Sequence, residues 1–340
     1  MRADARELAS LATDLNIAAI GVAQVGLTPT WVTYQDWLAR GYAAGMSYLV
    51  RPDAVNRRAD PRKILPETRS VLVVAVSYAG APHPNLPPLH GRVSRYAWGK
   101  DYHRWLLRDL ETLVQRLAEA YGLFPARCYV DTGPILERAW ARTAGLGWIG
   151  KNTNLIHPRL GSYLFLGVAL LGLELEPAPT PALPNCGDCT RCLDACPTGA
   201  LVAPGVLDAR RCIAYLTVEH RGAIPADQRP LLGDRVFGCD TCQDVCPWNR
   251  KPLAAYAEIP APQTATLGLP ELLTMSEADF RARFRRTPLW RATWQGLARN
   301  AATVLGNRRD PAALPVLAHA AATHPSALVR EHAAWALTQL

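Results

Sequence analysis

CGDCTRCLDACP, residues 186–197, sets four cysteines two, two and three residues apart, with a proline directly after the last. Three cysteines at successive two-residue gaps crowd a single tetrahedral zinc, which ordinarily takes paired C-x2-C units. The run is built to hold something other than one ion.

Its spacing is that of the C-x2-C-x2-C-x3-C-P run of bacterial two-cluster ferredoxins, in which the fourth cysteine serves the other cluster. Such a run requires a partial partner elsewhere. Cys239, Cys242 and Cys246, followed by Pro247, supply it, and Cys212 between the two runs makes up the number. Two [4Fe-4S] clusters are therefore expected. One falls on Cys186, Cys189, Cys192 and Cys246, the other on Cys196, Cys212, Cys239 and Cys242. Of nine cysteines only Cys128 is left over, in a strand-like segment where it reads as a small hydrophobe.

The chain around these runs has 340 residues, 49% hydrophobic and 19% charged, enough to bury a core in two or three domains and too apolar for global disorder. MRADARELASLATDLN at the start lacks the apolar core of a secretory signal. The longest apolar run, LFLGVALLGL at 164–173, is about half a membrane span. A cytoplasmic, membrane-free chain is expected, in which cysteines ligate rather than cross-link. The formal charge of +8 favours a polyanionic partner.

Three segments emerge. Residues 1–184 alternate helical and strand-like patterns, with strands in IAAIGVAQV, VLVVAVSYA, ARCYV and SYLFLGVALL and helices in DYHRWLLRDLETLVQRLAEAYG (101–122) and ILERAWARTA, which predicts a layered α/β domain. ELEPAPTPALPN (174–185) is a proline-rich linker. The cysteine-rich module occupies 185–253. Residues 254–340 pass from proline-broken coil to alanine-rich helices, where Ala301, Ala302 and Leu305 recur 32 positions later as Ala333, Ala334 and Leu337 in the manner of paired HEAT-type repeats.

GLGWIGKN (145–152) fits a dinucleotide fingerprint and nearly fits a P-loop. A helix precedes it and a strand follows, the reverse of what either motif needs, so it reads as a glycine loop whose backbone approaches another ligand. Asp101 and His103 begin a cobalamin-ligating D-x-H-x-x-G pattern, but Leu106 replaces the glycine, and His103 reads as a helix-surface residue.

Taken together, VDTGPILERAWARTAGLGWIGKNTNLI (130–156), CGDCTRCLDACPTGAL (186–201), CIAYLTVEHRG (212–222) and GCDTCQDVCPWN (238–249) resemble the epoxyqueuosine reductases of bacterial tRNA modification. The resemblance runs in order from about residue 40 to 252. It implies an α/β N-terminal cobalamin-binding domain, a two-cluster ferredoxin-like module and an α-helical HEAT-like C-terminal region that binds tRNA. It implies base-off cobalamin with no protein ligand to cobalt, and reduction of epoxyqueuosine in the tRNA anticodon loop to queuosine by electrons relayed through the clusters. Asp131, matching the family's D-T-G-P, is the implied proton donor and is expected to carry a raised pKa. Arg57, Asp131, Lys151, Asn152 and His157 are the candidate corrin contacts. Arg281, Arg283, Arg285, Arg286, Arg291, Arg299, Arg308 and Arg309 are the candidate tRNA contacts. A low-potential donor (ferredoxin, flavodoxin or a reductase) and a monomeric state complete the expectation. The alternatives are a non-catalytic two-cluster electron carrier and a cytoplasmic relative of the reductive dehalogenases, which share the cobalamin and cluster plan.

Overall fold

The computed structural model describes residues 5–80, 82–177, 183–250 and 264–340. Most of the 174–185 linker lies within or against the undescribed 178–182, and the proline-broken coil after 252 falls outside the described residues up to 263.

A four-stranded sheet forms the first layer, in the order Ala19–Gln24, Ser70–Ser77, Leu164–Leu171, Ala126–Tyr129, every neighbouring pair antiparallel. Ser70–Ser77 is buried at every position, which an unbroken apolar run allows because helices cover both faces. Leu72, Val74 and Val76 face the Tyr102–Tyr121 helix, whose Leu106, Leu110, Leu113 and Leu117 recur at helical spacing. Burial of each leucine stabilises the fold by about 2 kcal/mol. Val71, Val73 and Ala75 face Trp140 and Ala141 of the Glu137–Thr143 helix. The layered α/β reading stands, with antiparallel strands.

A second sheet draws one strand from each sequence segment. His90–Val93 pairs with Arg235–Phe237 on one side and Thr266–Gly268 on the other. Over it lies a core in which Val93, Trp98 and Phe237 pack with Leu267, Phe280, Leu297, Ala301 and Leu305. The helical tail, Trp294–Arg308, Leu314–Thr323 and Ala327–Leu337, is thus fastened to both preceding segments. Gly306 is required where two tail helices meet, since a Cβ there would stand 2.8 Å from Cα of Ala336. Among the described residues no helix is long and apolar enough to cross a membrane.

Candidate active site and cluster cradle

Asp101 caps the Tyr102–Tyr121 helix, its Oδ1 accepting the His103 N–H at 3.1 Å. The same oxygen lies 2.6 Å from Nδ1 of His103, and Nε2 of that ring lies 3.2 Å from Oδ2 of Asp131. The Tyr102 hydroxyl donates to the same Oδ2 at 3.0 Å. Asp131 follows the Ala126–Tyr129 strand with φ +58°, a left-handed conformation that Asp tolerates better than most residues. It caps no helix, since the next one begins at Glu137. With an antiparallel sheet, this turn places Asp131, not the carboxyl edge of a parallel one.

The Asp131 side chain is 65% exposed, yet burial by surrounding protein is the largest influence on its proton affinity. Both hold for a carboxylate in a concavity open to solvent. Burial would raise the pKa, but the bonds from His103 and Tyr102 and the charges of His103 and Arg138 outweigh it and hold the carboxyl below its ordinary value. The expected raised pKa is therefore corrected: the missing factor is a cation in contact. Burial alone would lower the pKa of His103, but hydrogen bonds to Asp101 and Asp131 and their charges push it up to about 9. At neutral pH the proton sits on the imidazole between two carboxylates. Glu137 is pushed up to about 7, by burial and then by the charge of Asp131. Burial raises Tyr48 to about 12, and the charges of Glu219 and Asp131 add to it.

His103, Tyr102, Glu137 and Tyr48 were not among the expected site residues. His103 carried a usable signal, an Asp-x-His at a helix start. It reads from sequence as a helix-surface residue, whereas it is the second helical residue and its ring meets two carboxylates.

Besides Asp131, the expected corrin contacts lie on two segments. Arg57 is exposed on the Pro52–Ala59 helix. Its neighbour Arg58, about 100° further round, is buried, donates to the Tyr48 carbonyl at 3.4 Å and lies over the Tyr34 ring. The inward cation is Arg58. Lys151 Nζ donates to the Gly187 carbonyl at 2.7 Å and Asn152 Nδ2 to that of Cys242 at 3.4 Å, so both brace the cysteine loops. His157 Nδ1 accepts the N–H groups of Arg159 and Leu160 at 3.1 Å each, and burial together with Arg159 holds the ring at about 4. It is a neutral, turn-forming histidine. The glycine loop closes on its own hairpin, for a Cβ on Gly147 would fall 2.1 Å from the Ile156 carbonyl oxygen.

Cys186, Cys189, Cys192 and Cys246 line one cavity together with Lys151, Arg191 and Trp248. In the other set, burial raises Cys212 to about 11, with the charges of Cys239 and Cys196 contributing; burial also raises Cys242, with those of Cys239 and Cys212. The structure thus sets Cys246 round one cavity with Cys186, Cys189 and Cys192, and brings Cys212 within reach of Cys239, Cys242 and Cys196. Among the described residues no three His, Cys, Asp or Glu groups converge on one point as a single ion requires. Four thiols spread round a cavity suit a cluster, in which each iron takes one thiolate.

Of the tail arginines, Arg285, Arg286 and Arg309 are exposed and Arg308 is half-buried. Arg281 pairs with Glu277 at 2.7 Å and Arg283 with Glu271 at 2.5 Å. Arg291 pairs with Glu219 at 2.8 Å and lies over the Tyr48 ring, beside the concavity. Arg299 is 0% exposed and donates to the carbonyls of Leu216, His220 and Gly222. Arg299 is therefore removed from the tRNA contacts: it ties the tail to the cluster module.

The sequence is 41% identical over 332 residues to the epoxyqueuosine reductase of Pseudomonas aeruginosa, covering 95% of this chain and 91% of that protein. The chain belongs to the epoxyqueuosine reductase family. The family member from Escherichia coli is 37% identical over 343 residues, 98% of this chain and 89% of its own. A solved epoxyqueuosine reductase carrying a tRNA-Tyr epoxyqueuosine-modified stem loop superposes with a TM-score of 0.90 at 33% identity, covering 98% of this chain and 89% of that one. The Bacillus subtilis enzyme, solved with its catalytic loop swung out of the active site, gives 0.87 at 32% identity over the same shares. Family models match in three places: "Epoxyqueuosine reductase QueG, DUF1730" at 58–132, "4Fe-4S double cluster binding domain" at 185–249 and "HEAT repeats" at 294–340.

Proposed function

We propose that this chain reduces epoxyqueuosine in the anticodon loop of tRNA to queuosine, drawing electrons through two [4Fe-4S] clusters to base-off cobalamin, with Asp131 as proton donor. The observation that carries the mechanism is the Asp101–His103–Asp131 chain ending in a carboxylate open to solvent. When bound, cobalamin supplies a cobalt centre that collects electrons singly and delivers two to the epoxide. His103 offers that cobalt no ligand, because both ring nitrogens are engaged by carboxylates.

Removing an epoxide oxygen as water consumes two electrons and two protons. Asp131 stands at the open end of the relay, so it hands a proton to the departing oxygen and is refilled from Nε2 of His103. Asp101 keeps the imidazole charged and oriented, and the Tyr102 hydroxyl fixes the Asp131 carboxylate. A substrate that closes the concavity excludes water and raises the proton affinity of Asp131 toward the working pH.

In the same reading, 1–184 binds cobalamin, 185–253 carries the clusters, and 254–340 contacts tRNA through Arg285, Arg286 and Arg309, with Arg281, Arg283, Arg291 and Arg308 beside them. The enzyme works as a cytoplasmic monomer with a low-potential donor.

The test is nucleoside analysis of epoxyqueuosine-bearing tRNA after anaerobic incubation with cobalamin and reductant. Wild type yields queuosine. Asp131→Asn keeps the visible spectrum of corrin and clusters but makes no product; wild-type turnover in that variant would sink the assignment. A purified protein that binds no corrin would instead be the non-catalytic carrier.

A further inference from the structure

The two cysteine groups face different surroundings. Cys239 of the second group packs against a core of Ile213, Leu216, Ile224 and Leu232, and the charge of Cys242 reaches Tyr78. From Tyr78 the rings continue inward, 4.5 Å to Phe165 and 4.1 Å on to Tyr102, whose hydroxyl bonds Asp131. That group faces the concavity. The cavity of the first group has a rim that includes exposed Arg191 and Pro247.

The rim is cationic. Arg250 follows the 247–249 turn, and Gly161 packs so closely on Asn249 and the Trp248 carbonyl that the turn bearing exposed Arg159 lies alongside. Arg159, Arg191 and Arg250 have no ion pair among the described residues, and Lys151 stands at the cavity wall. Against these are exposed Asp188 and Asp194, the latter accepting a bond from Thr190. Asp244 is turned away, onto Tyr163 and Arg95. Four cations thus oppose two carboxylates around this cluster cavity.

We propose that this rim is the docking face of a small acidic one-electron carrier protein of the flavodoxin type. The proposal rests on the two-cluster reading above. At each encounter the flavin hydroquinone of the carrier gives up one electron and becomes the semiquinone. The cluster on Cys186, Cys189, Cys192 and Cys246 gains it, passing from the 2+ to the 1+ level with no atom transferred. Two encounters supply one turnover. Complementary charge at such a rim raises the association rate in a salt-dependent way.

The test uses the anaerobic cluster-loaded protein, wild type and the double variant Arg159→Glu, Arg250→Glu, both outside the cavity lining, with flavodoxin as probe. Bleaching of cluster absorbance by flavodoxin hydroquinone should slow at least about tenfold at low salt, the two proteins converging at high salt. Binding of oxidised flavodoxin, followed by calorimetry, should weaken in parallel. Iron content and bleaching by photoreduced deazaflavin should be unchanged. Equal flavodoxin rates and affinities in the two proteins overturn the proposal. So does a variant that loses affinity for epoxyqueuosine-bearing tRNA while keeping that for flavodoxin, which would make the rim an RNA surface. Wild-type protein with no cluster absorbance would instead overturn the two-cluster reading itself.

Discussion

Nε2 of His103 stands 3.2 Å from Oδ2 of Asp131, while Nδ1 of the same ring stands 2.6 Å from Asp101. The imidazole is clamped between two carboxylates and keeps its proton up to about pH 9. Its folded pKa lies above its unfolded value, so both the proton supply and the pairing energy are complete below about pH 6.5 and are lost as pH rises through about 9. The kcat of wild type should fall on an alkaline limb near that value. His103→Gln should lose at least about tenfold in kcat, a modest loss for a proton-transfer partner, and should lack the limb. An unchanged profile would remove His103 from the relay.

The exchange of Cys196 and Cys246 between the two groups predicts opposite lesions. Cys246→Ser should disturb the cluster whose other ligands are Cys186, Cys189 and Cys192, and Cys196→Ser the one that shares Cys212, Cys239 and Cys242. Each variant should keep about half the iron, with different surviving electron paramagnetic resonance signals. If Cys246→Ser spoiled the signal that Cys239→Ser also spoils, the assignment would be wrong.

The cysteine groups were legible because ligand spacing is local and a fixed proline marks each crossing. The strands were legible because a strand covered on both faces must be apolar throughout, as Ser70–Ser77 is. The relay was not, because His103 and Asp131 lie 28 positions apart and meet only where the start of one helix abuts the end of one strand. Arg299 shows the same limit in reverse. Its sequence neighbourhood says basic helix, and only the packed fold reveals three backbone carbonyls waiting for the guanidinium. Arg57 and Arg58 differ by one position on a helix, and composition cannot choose which turns inward.

Arg299 and the pair Arg285 and Arg286 should therefore respond differently to mutation. Arg299→Met leaves the carbonyls of Leu216, His220 and Gly222 without their donor and should cost at least about 3 kcal/mol, seen as a clear fall in melting temperature. Replacing Arg285 and Arg286 by Ala should leave the melting temperature alone, weaken tRNA binding and lower the salt slope by about one for each phosphate no longer neutralised. Unchanged tRNA affinity in the double variant would move the RNA surface elsewhere.

His332 predicts how the tail responds to acid. It is 0% exposed; its Nδ1–H donates to the Leu328 carbonyl at 2.8 Å, and its Nε2 accepts the Ile224 N–H at 3.1 Å. The bond accepted from Ile224 requires the neutral ring, and burial holds its pKa down at about 4. The folded value lies below the unfolded one, so the unfolded chain takes up the extra proton between about pH 6.5 and 4. The contribution is complete above pH 6.5 and is lost as pH falls through that window. The loss is about 1 kcal/mol by pH 5.5 and about 3 kcal/mol at its limit. His332→Gln should be less stable at pH 7.5 and lose less on acidification, so the two melting temperatures should draw together between pH 7 and 5.5 at a fixed scan rate. Parallel curves would show that His332 does not titrate with unfolding, and the acid sensitivity would then belong to His157, the other buried ring held at about 4.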